Sequence, residues 1–389
     1  MKIFHLILSC YTTLYILMQF IPIISQDIIS IPFGRSFGEY KFFLFSSRYI
    51  TTSVFLIDLA KHYNVESHHS IISECTDIIN EFELLRYNST LFHGVTCTSY
   101  YEISKTTSNL IDKLSFYLLK EQPSKGIYYF IGFGSQIITP THSIVQQLYN
   151  NRKINHFSFA LLSNKNESHF GTMYFGGIPL EEIKDKVKGF CKVDNSQFKW
   201  SCSLFNIEIL THQRRIVVPN NNYSFFNTIH RGIYVPEWFF NNIIELNILK
   251  RYINEKQCNK QINKQETFYV CTYEVSQQIK EVKFQFDNYL YSINTTHLFF
   301  CEEYNCSFQI QKHENVKDFW VFGTFFIDGF DMEFDYEFKE VRFYSSDIMS
   351  IKKVKLNEYF DNVQSIIKGI IFILSCNICL IMYVKYKGL

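Results

Sequence analysis

Apolar and polar residues alternate with a period of two through GTMYFGGI, VKFQFDNYLYSI and MEFDYEFKEVRFY. That pattern belongs to strands with one buried face. Across residues 33–346 the apolar runs are short and are broken by Asn, Ser, Gly and Lys. SIVQQLYNNRKI and EWFFNNIIELNILKRYI predict helices, and the polar stretch CNKQINKQET predicts a loop. The chain reads as mostly β, with many strands and few helices.

One pattern occurs twice. VFLID, ending at Asp58, precedes YFIGFG with Gly132; YSFFN, ending at Asn227, precedes WVFG with Gly323. Two copies of one supersecondary unit predict two related lobes facing a shared cleft.

The two ends differ from this middle. MKIFHLILSCYTTLYILMQFIPIISQ carries one lysine ahead of a long apolar run, which predicts a signal peptide or uncleaved anchor over residues 1–26. Near the other end, residues 366–384 contain one charge, Lys368, and as a helix would span roughly 28 Å, about one bilayer core. Lys385 and Lys387 follow, so residues 385–389 are expected to form a short cytoplasmic tail. The expected topology is single-pass, with the region between the apolar ends in the lumen or outside the cell. The secretory pathway or the cell surface is the expected location.

Composition narrows the classes. The 389 residues suffice for two cores. Phe 40 and Tyr 26 bring aromatics to 18% of the chain, which favours sheets. A formal net charge of +1 leaves no electrostatic footprint for a nucleic-acid partner. Outside the apolar ends lie eight cysteines: Cys75, Cys97, Cys191, Cys202, Cys258, Cys271, Cys301 and Cys306. An even count in a lumenal region reads as disulfides, and proximity favours Cys75 with Cys97 or Cys191 with Cys202. With no CxxC pair among the eight, no metal is expected, and nothing calls for a cofactor. Sequons at Asn88, Asn166, Asn222, Asn294 and Asn305 permit glycans.

The order and spacing of several blocks resemble the pepsin-like aspartic peptidases over residues 40–343. YYFIGFG resembles the family's DGILGLG block, and SIVQQLYNNRKINHFSFALL resembles the helix and strand after it. GTMYFGGI resembles the strand that ends in paired glycines. WVFGTFFIDGFDMEFDYEFKEVRF resembles the closing segment, with Trp320, Gly323, Phe334, Asp335 and Val341 at matching separations. The resemblance implies a bilobal, nearly all-β fold, followed here by a C-terminal transmembrane helix. It implies an N-terminal lobe over residues 33–190 and a C-terminal lobe over residues 191–350. It also implies a Cys271–Cys306 disulfide.

In that family two aspartates share one proton, because like charges about 3 Å apart cannot both ionise. One activates a water and the other polarises the peptide carbonyl. Asp58 stands at the first aspartate's position, but Leu59 and Ala60 replace the Thr and Gly that follow it. NTIHRGIYVP aligns with the second block, where Asn227 replaces the aspartate, Thr228 is kept and Ile229 replaces glycine. YNSTLFHG resembles the flap hairpin, with Tyr87 and Gly94 at matching separation. A carboxamide does not titrate near neutral pH, so Asn227 cannot serve as acid or base. The resemblance therefore implies a pseudopeptidase, monomeric in its lumenal region, that binds extended polypeptide in its cleft. The alternatives are an active membrane-anchored endopeptidase and a structural or adhesive surface protein on the same scaffold.

Overall fold

The computed structural model describes residues 28–36, 39–46, 52–58, 65–66, 77–87, 90–102, 111–119, 130–132, 143–163, 170–194, 200–228, 230–263, 265–346 and 349–354. The expected leader (residues 1–26), membrane helix (366–384) and tail (385–389) lie outside them, as do Asn88, Asn166 and Cys75. Among the described residues, no helix is long and apolar enough to cross a membrane.

The first part of the chain forms β1 (Ile29–Ser36), β2 (Glu39–Ser46), β3 (Thr52–Asp58) and β4 (Val65–Glu66). It continues as β5 (Asp77–Tyr87), β6 (Thr90–Glu102), β7 (Ile111–Leu119) and β8 (Phe130–Gly132). A helix at Ile144–Asn150, capped by the Ser143 side chain, leads to β9 (Ser158–Ser163), β10 (Phe170–Phe175) and β11 (Lys188–Lys192). Next come β12 (Ser201–Thr211), β13 (Arg215–Phe226), β14 (Ile233–Tyr234), β15 (Cys258–Asn263) and β16 (Glu266–Thr272). The remainder is β17 (Ile279–Phe286), β18 (Tyr289–Asn294), β19 (Phe299–Glu302), β20 (Asn305–Phe308), β21 (Ile310–His313), β22 (Trp320–Phe322), β23 (Asp331–Asp335), β24 (Glu340–Tyr344) and β25 (Met349–Lys353).

Two large sheets result. One runs β11-β24-β23-β9-β10-β1-β2-β3-β8-β4-β7-β6-β5. The other runs β19-β20-β16-β21-β14-β22-β13-β12-β17-β18-β25, with β15 attached to β16. The alternating segments fold as their period requires. VKFQFDNYLYSI becomes the β17–β18 hairpin, turning at Asp287, whose φ is 45°. MEFDYEFKEVRFY becomes the β23–β24 hairpin. The glycines of GTMYFGGI follow β10 with φ of 86° and 117°, and an added Cβ on Gly177 would meet nothing within 4 Å. Conformation, not space, therefore calls for glycine there.

The predicted second helix forms at residues 237–254, but Phe240–Leu249 has the wider π hydrogen-bond pattern. Phe240, Ile244 and Ile248 point into the core from it. One expectation fails. CNKQINKQET was expected to be a loop, yet CNKQIN forms β15, an edge strand paired with β16. Its exposed polar side chains hide the strand from a periodicity argument, and the Cys258–Cys271 disulfide fixes its start.

Among the described residues the disulfides are Cys191–Cys202, Cys258–Cys271 and Cys301–Cys306. The first matches the proximity pairing and joins β11 of one sheet to β12 of the other. The Cys271–Cys306 pairing implied by the resemblance is corrected. These residues do sit opposite each other on β16 and β20, but each bonds the neighbour on its other side. Cys97 lies on β6 opposite Ile78.

One face of β9, β23 and β24 carries Phe159, Phe334 and Phe343 into the main core, where Phe159 stacks on Phe334 with centroids 4.8 Å apart. The opposite face carries charge. Asp331, Glu333 and Asp335 alternate along β23 and are all buried. Arg342 reaches Asp335 at 2.7 Å and Glu333 at 3.2 Å, while Lys186 pairs with Asp331. His156 Nε2 lies 3.0 Å from Asp335 and its Nδ1 lies 2.9 Å from Glu337. Although His156, Glu333 and Asp335 could converge on a cation, the Arg342 guanidinium already bridges the two carboxylates.

This network makes stability depend on pH. The hydrogen bond to Asp335 raises the His156 pKa above 6.5, against desolvation and with help from the surrounding carboxylates. Its stabilisation is complete below the unfolded value and fades as pH rises through the raised one. Burial alone would raise the Asp335 pKa, but hydrogen bonds from His156 and the Phe338 N–H, with the Arg342 charge, hold it low. That contribution is present above the unfolded carboxylate pKa and is lost as pH falls through the depressed value. His156→Gln is therefore expected to cost more stability at pH 5 than at pH 8 in thermal unfolding. Equal losses at both pH values would contradict the charge argument.

Candidate functional site

The repeated sequence unit is a repeated structural unit. In the first sheet β3 runs parallel to β8, with Leu56 opposite Phe130 and Asp58 opposite Gly132. β8 then pairs antiparallel with β4, and β4 parallel with β7. In the second sheet β13 runs parallel to β22, β22 pairs antiparallel with β14, and β14 parallel with β21. The registers coincide as well. Val65 lies seven residues after Asp58 and faces Phe130, two before Gly132. Tyr234 lies seven after Asn227 and faces Val321, two before Gly323. Asp58 and Asn227 therefore occupy equivalent points of the two units.

The second unit is built tightly around its turn. The Asn227 N–H donates to Phe322 O at 3.0 Å, extending the β13–β22 ladder by one bond. Gly323, Thr324 and Phe325 donate their N–H groups to the carbonyls of Gly232, His230 and Arg231 at 3.0, 2.7 and 2.9 Å. The 230–232 backbone is thus fastened to the start of the Thr324–Gly329 helix. A Cβ on Gly323 would lie 2.4 Å from His230 O and 2.5 Å from Gly232 O, so only glycine permits this approach. Trp320 is fully buried against Phe239, with ring centroids 4.7 Å apart. Thr228 is buried and Asn227 half-buried.

Titratable side chains that the sequence reading did not single out adjoin this turn. The rings of His230, Tyr234 and His313 lie 5.0 to 5.6 Å apart. The Tyr234 hydroxyl donates to Glu266, and burial pushes its pKa well above the ordinary phenol value. The Arg231 guanidinium sits 4.3 Å from the Phe300 ring centroid, and desolvation lowers its pKa. The second unit therefore presents an amide at the end of its strand, with a cation and two imidazoles just beyond.

Tyr87 ends β5 opposite Thr90, which opens β6, and the two strands pair antiparallel. Gly94 lies farther along β6, opposite Phe82. Leu59, Ala60 and Ile229 lie outside the described residues. Of the sequons, Asn294 and Asn305 are exposed and Asn222 is half-buried on β13.

A family model described as "Eukaryotic aspartyl protease" matches residues 98–345. The chain belongs to that family. The matched residues include Asn227 but begin after Asp58 and Tyr87. The aspartic proteinase from Irpex lacteus is similar in structure, with a TM-score of 0.61 and 11% sequence identity. That likeness covers 82% of this chain and 98% of the other, and it supports the bilobal pepsin-like fold. No curated protein matches the chain. This family member thus has the aspartyl protease architecture, with Asp58 and Asn227 at equivalent points of its two repeated units.

Proposed function

We propose that the chain is a pseudopeptidase: an aspartyl protease-like protein that holds an extended polypeptide between its lobes without hydrolysing it. The observation carrying this reading is Asn227 directly after β13, at the point of its unit equivalent to that of Asp58 at the end of β3. An amide can accept and donate hydrogen bonds but cannot share a proton with Asp58 or give one up. Loss of a proton-transferring group costs on the order of 10²–10⁴ in rate, and half of an interdependent pair costs more. Backbone pairing and side-chain pockets, by contrast, need no titrating group.

The finer parts of the proposal rest on sequence. Residues 1–26 would direct the chain into the secretory pathway and residues 366–384 would anchor it as a single-pass protein. Glycans would fit the exposed Asn294 and Asn305. The region between the apolar ends would be a monomer with a polypeptide partner.

The binding half of the proposal is tested by incubating the protein with a diverse peptide library from pH 4 to 7, isolating it and sequencing what it retains. The expected result is a set of intact extended peptides, displaced by a statine-type inhibitor. A failure to retain any peptide over that range would leave only a scaffold role.

A further inference from the structure

Four half-cystines stand side by side across four strands. Cys258 on β15 faces Cys271 on β16, Cys271 faces Cys306 on β20, and Cys306 faces Cys301 on β19. Directly opposed residues project from the same side of a sheet, so their side chains form one row. The outer pairs are bonded, with Cα separations of 4.0 and 3.9 Å.

The spacing of the central pair follows from the ladder. The Thr272 N–H donates to Gln257 O at 2.9 Å, which makes Cys258 and Cys271 a narrow, non-hydrogen-bonded pair. The N–H and C=O of Cys271 consequently point toward β20, and Cys271 with Cys306 is a wide pair of about 5.5 Å between Cα atoms. That Cα separation lies within the disulfide range, and a small approach of β16 and β20 brings the Cβ atoms into bonding reach. Access is confined to one end of the row. Cys301 is exposed, whereas Cys306, Cys271 and Cys258 are 0%, 1% and 2% exposed.

We propose that this row is a thiol–disulfide exchange site that accepts a low-molecular-weight thiol at Cys301 and passes the exchange inward to Cys258. The incoming thiolate attacks Cys301 Sγ and forms a mixed disulfide. The Cys301–Cys306 bond breaks and its electron pair leaves on Cys306 Sγ. The freed Cys306 thiolate faces Cys271 directly across the ladder. It attacks Cys271 Sγ; the Cys271–Cys306 bond forms, the Cys258–Cys271 bond breaks, and the electron pair leaves on Cys258 Sγ. Through solvent, the proton lost by the incoming thiol ends on Cys258. Two disulfides and one thiol are present before and after, so no oxidant or reductant is consumed. The exchange removes the covalent tie of β15, which among the described residues pairs with β16 alone.

The test uses the full chain, glutathione as the thiol, and alkylation at acid pH. Digestion with trypsin and a glutamyl endopeptidase and mass spectrometry without reduction then map the bonds. The expected products are glutathione on Cys301, a Cys271–Cys306 crosslink and alkylated Cys258. Alkylated Cys306 with an intact Cys258–Cys271 bond would overturn the inward step, and absence of glutathione from Cys301 would overturn the entry step. In Cys301→Ser without added thiol, the Cys271–Cys306 crosslink and alkylated Cys258 should become the major species. Alkylated Cys306 beside intact Cys258–Cys271 would again be contrary. The unsubstituted arm keeps the test decisive should the variant fail to fold.

Discussion

Gly323→Ala is expected to destabilise the protein by about 3 kcal/mol, at the upper end of what one added carbon costs in a packed site. Its Cβ would meet two backbone carbonyls, those of His230 and Gly232, at 2.4 and 2.5 Å. Neither can swing aside as a side-chain tip could. His230 O accepts from Thr324 and Gly232 O from Gly323 itself, so retreat of either breaks a bond that fastens the turn. Denaturant unfolding would register the loss. Peptide retention should fall with it, because the displaced turn begins at Asn227. A variant with unchanged stability would mean that this turn is looser than its hydrogen bonds indicate.

Asn227→Asp is the second large effect. The change is nearly isosteric and restores a titratable group at the point equivalent to Asp58. Acid-dependent, inhibitor-sensitive hydrolysis should exceed that of the unsubstituted chain by a factor on the order of 10² or more. The gain should vanish when Asp58→Ala is added, since the carboxyl groups work as a pair. If Asn227→Asp alone yields no products, the other departures, Leu59, Ala60 and Ile229, have also closed the chemistry.

How far the sequence discloses all this depends on the kind of signal. Alternation within MEFDYEFKEVRFY was enough for the β23–β24 hairpin, because period two follows directly from the pleat. The duplication around Asp58 and Asn227 was visible as two apolar runs each followed by a glycine strand. Their shared register could come only from strand pairing. β15 was illegible because an exposed edge strand has no apolar face to reveal it. The disulfides of β15, β16, β19 and β20 were misread for a related reason. Four cysteines in one row permit more than one set of bonds, and chain order does not say which neighbour is taken. The buried acids of β23 did leave a trace, as Asp331, Glu333 and Asp335 recur at every second position, but their partners His156 and Arg342 are brought in by tertiary packing.

The central claim is that this aspartyl protease scaffold lacks half of its proton-sharing pair, and direct assay of hydrolysis tests it. The unsubstituted protein would be incubated with a diverse peptide library from pH 4 to 7, with and without a statine-type inhibitor, beside Asp58→Ala. The account predicts no inhibitor-sensitive product at any pH and no difference between the two proteins. Cleavage that the inhibitor blocks and Asp58→Ala abolishes would contradict it.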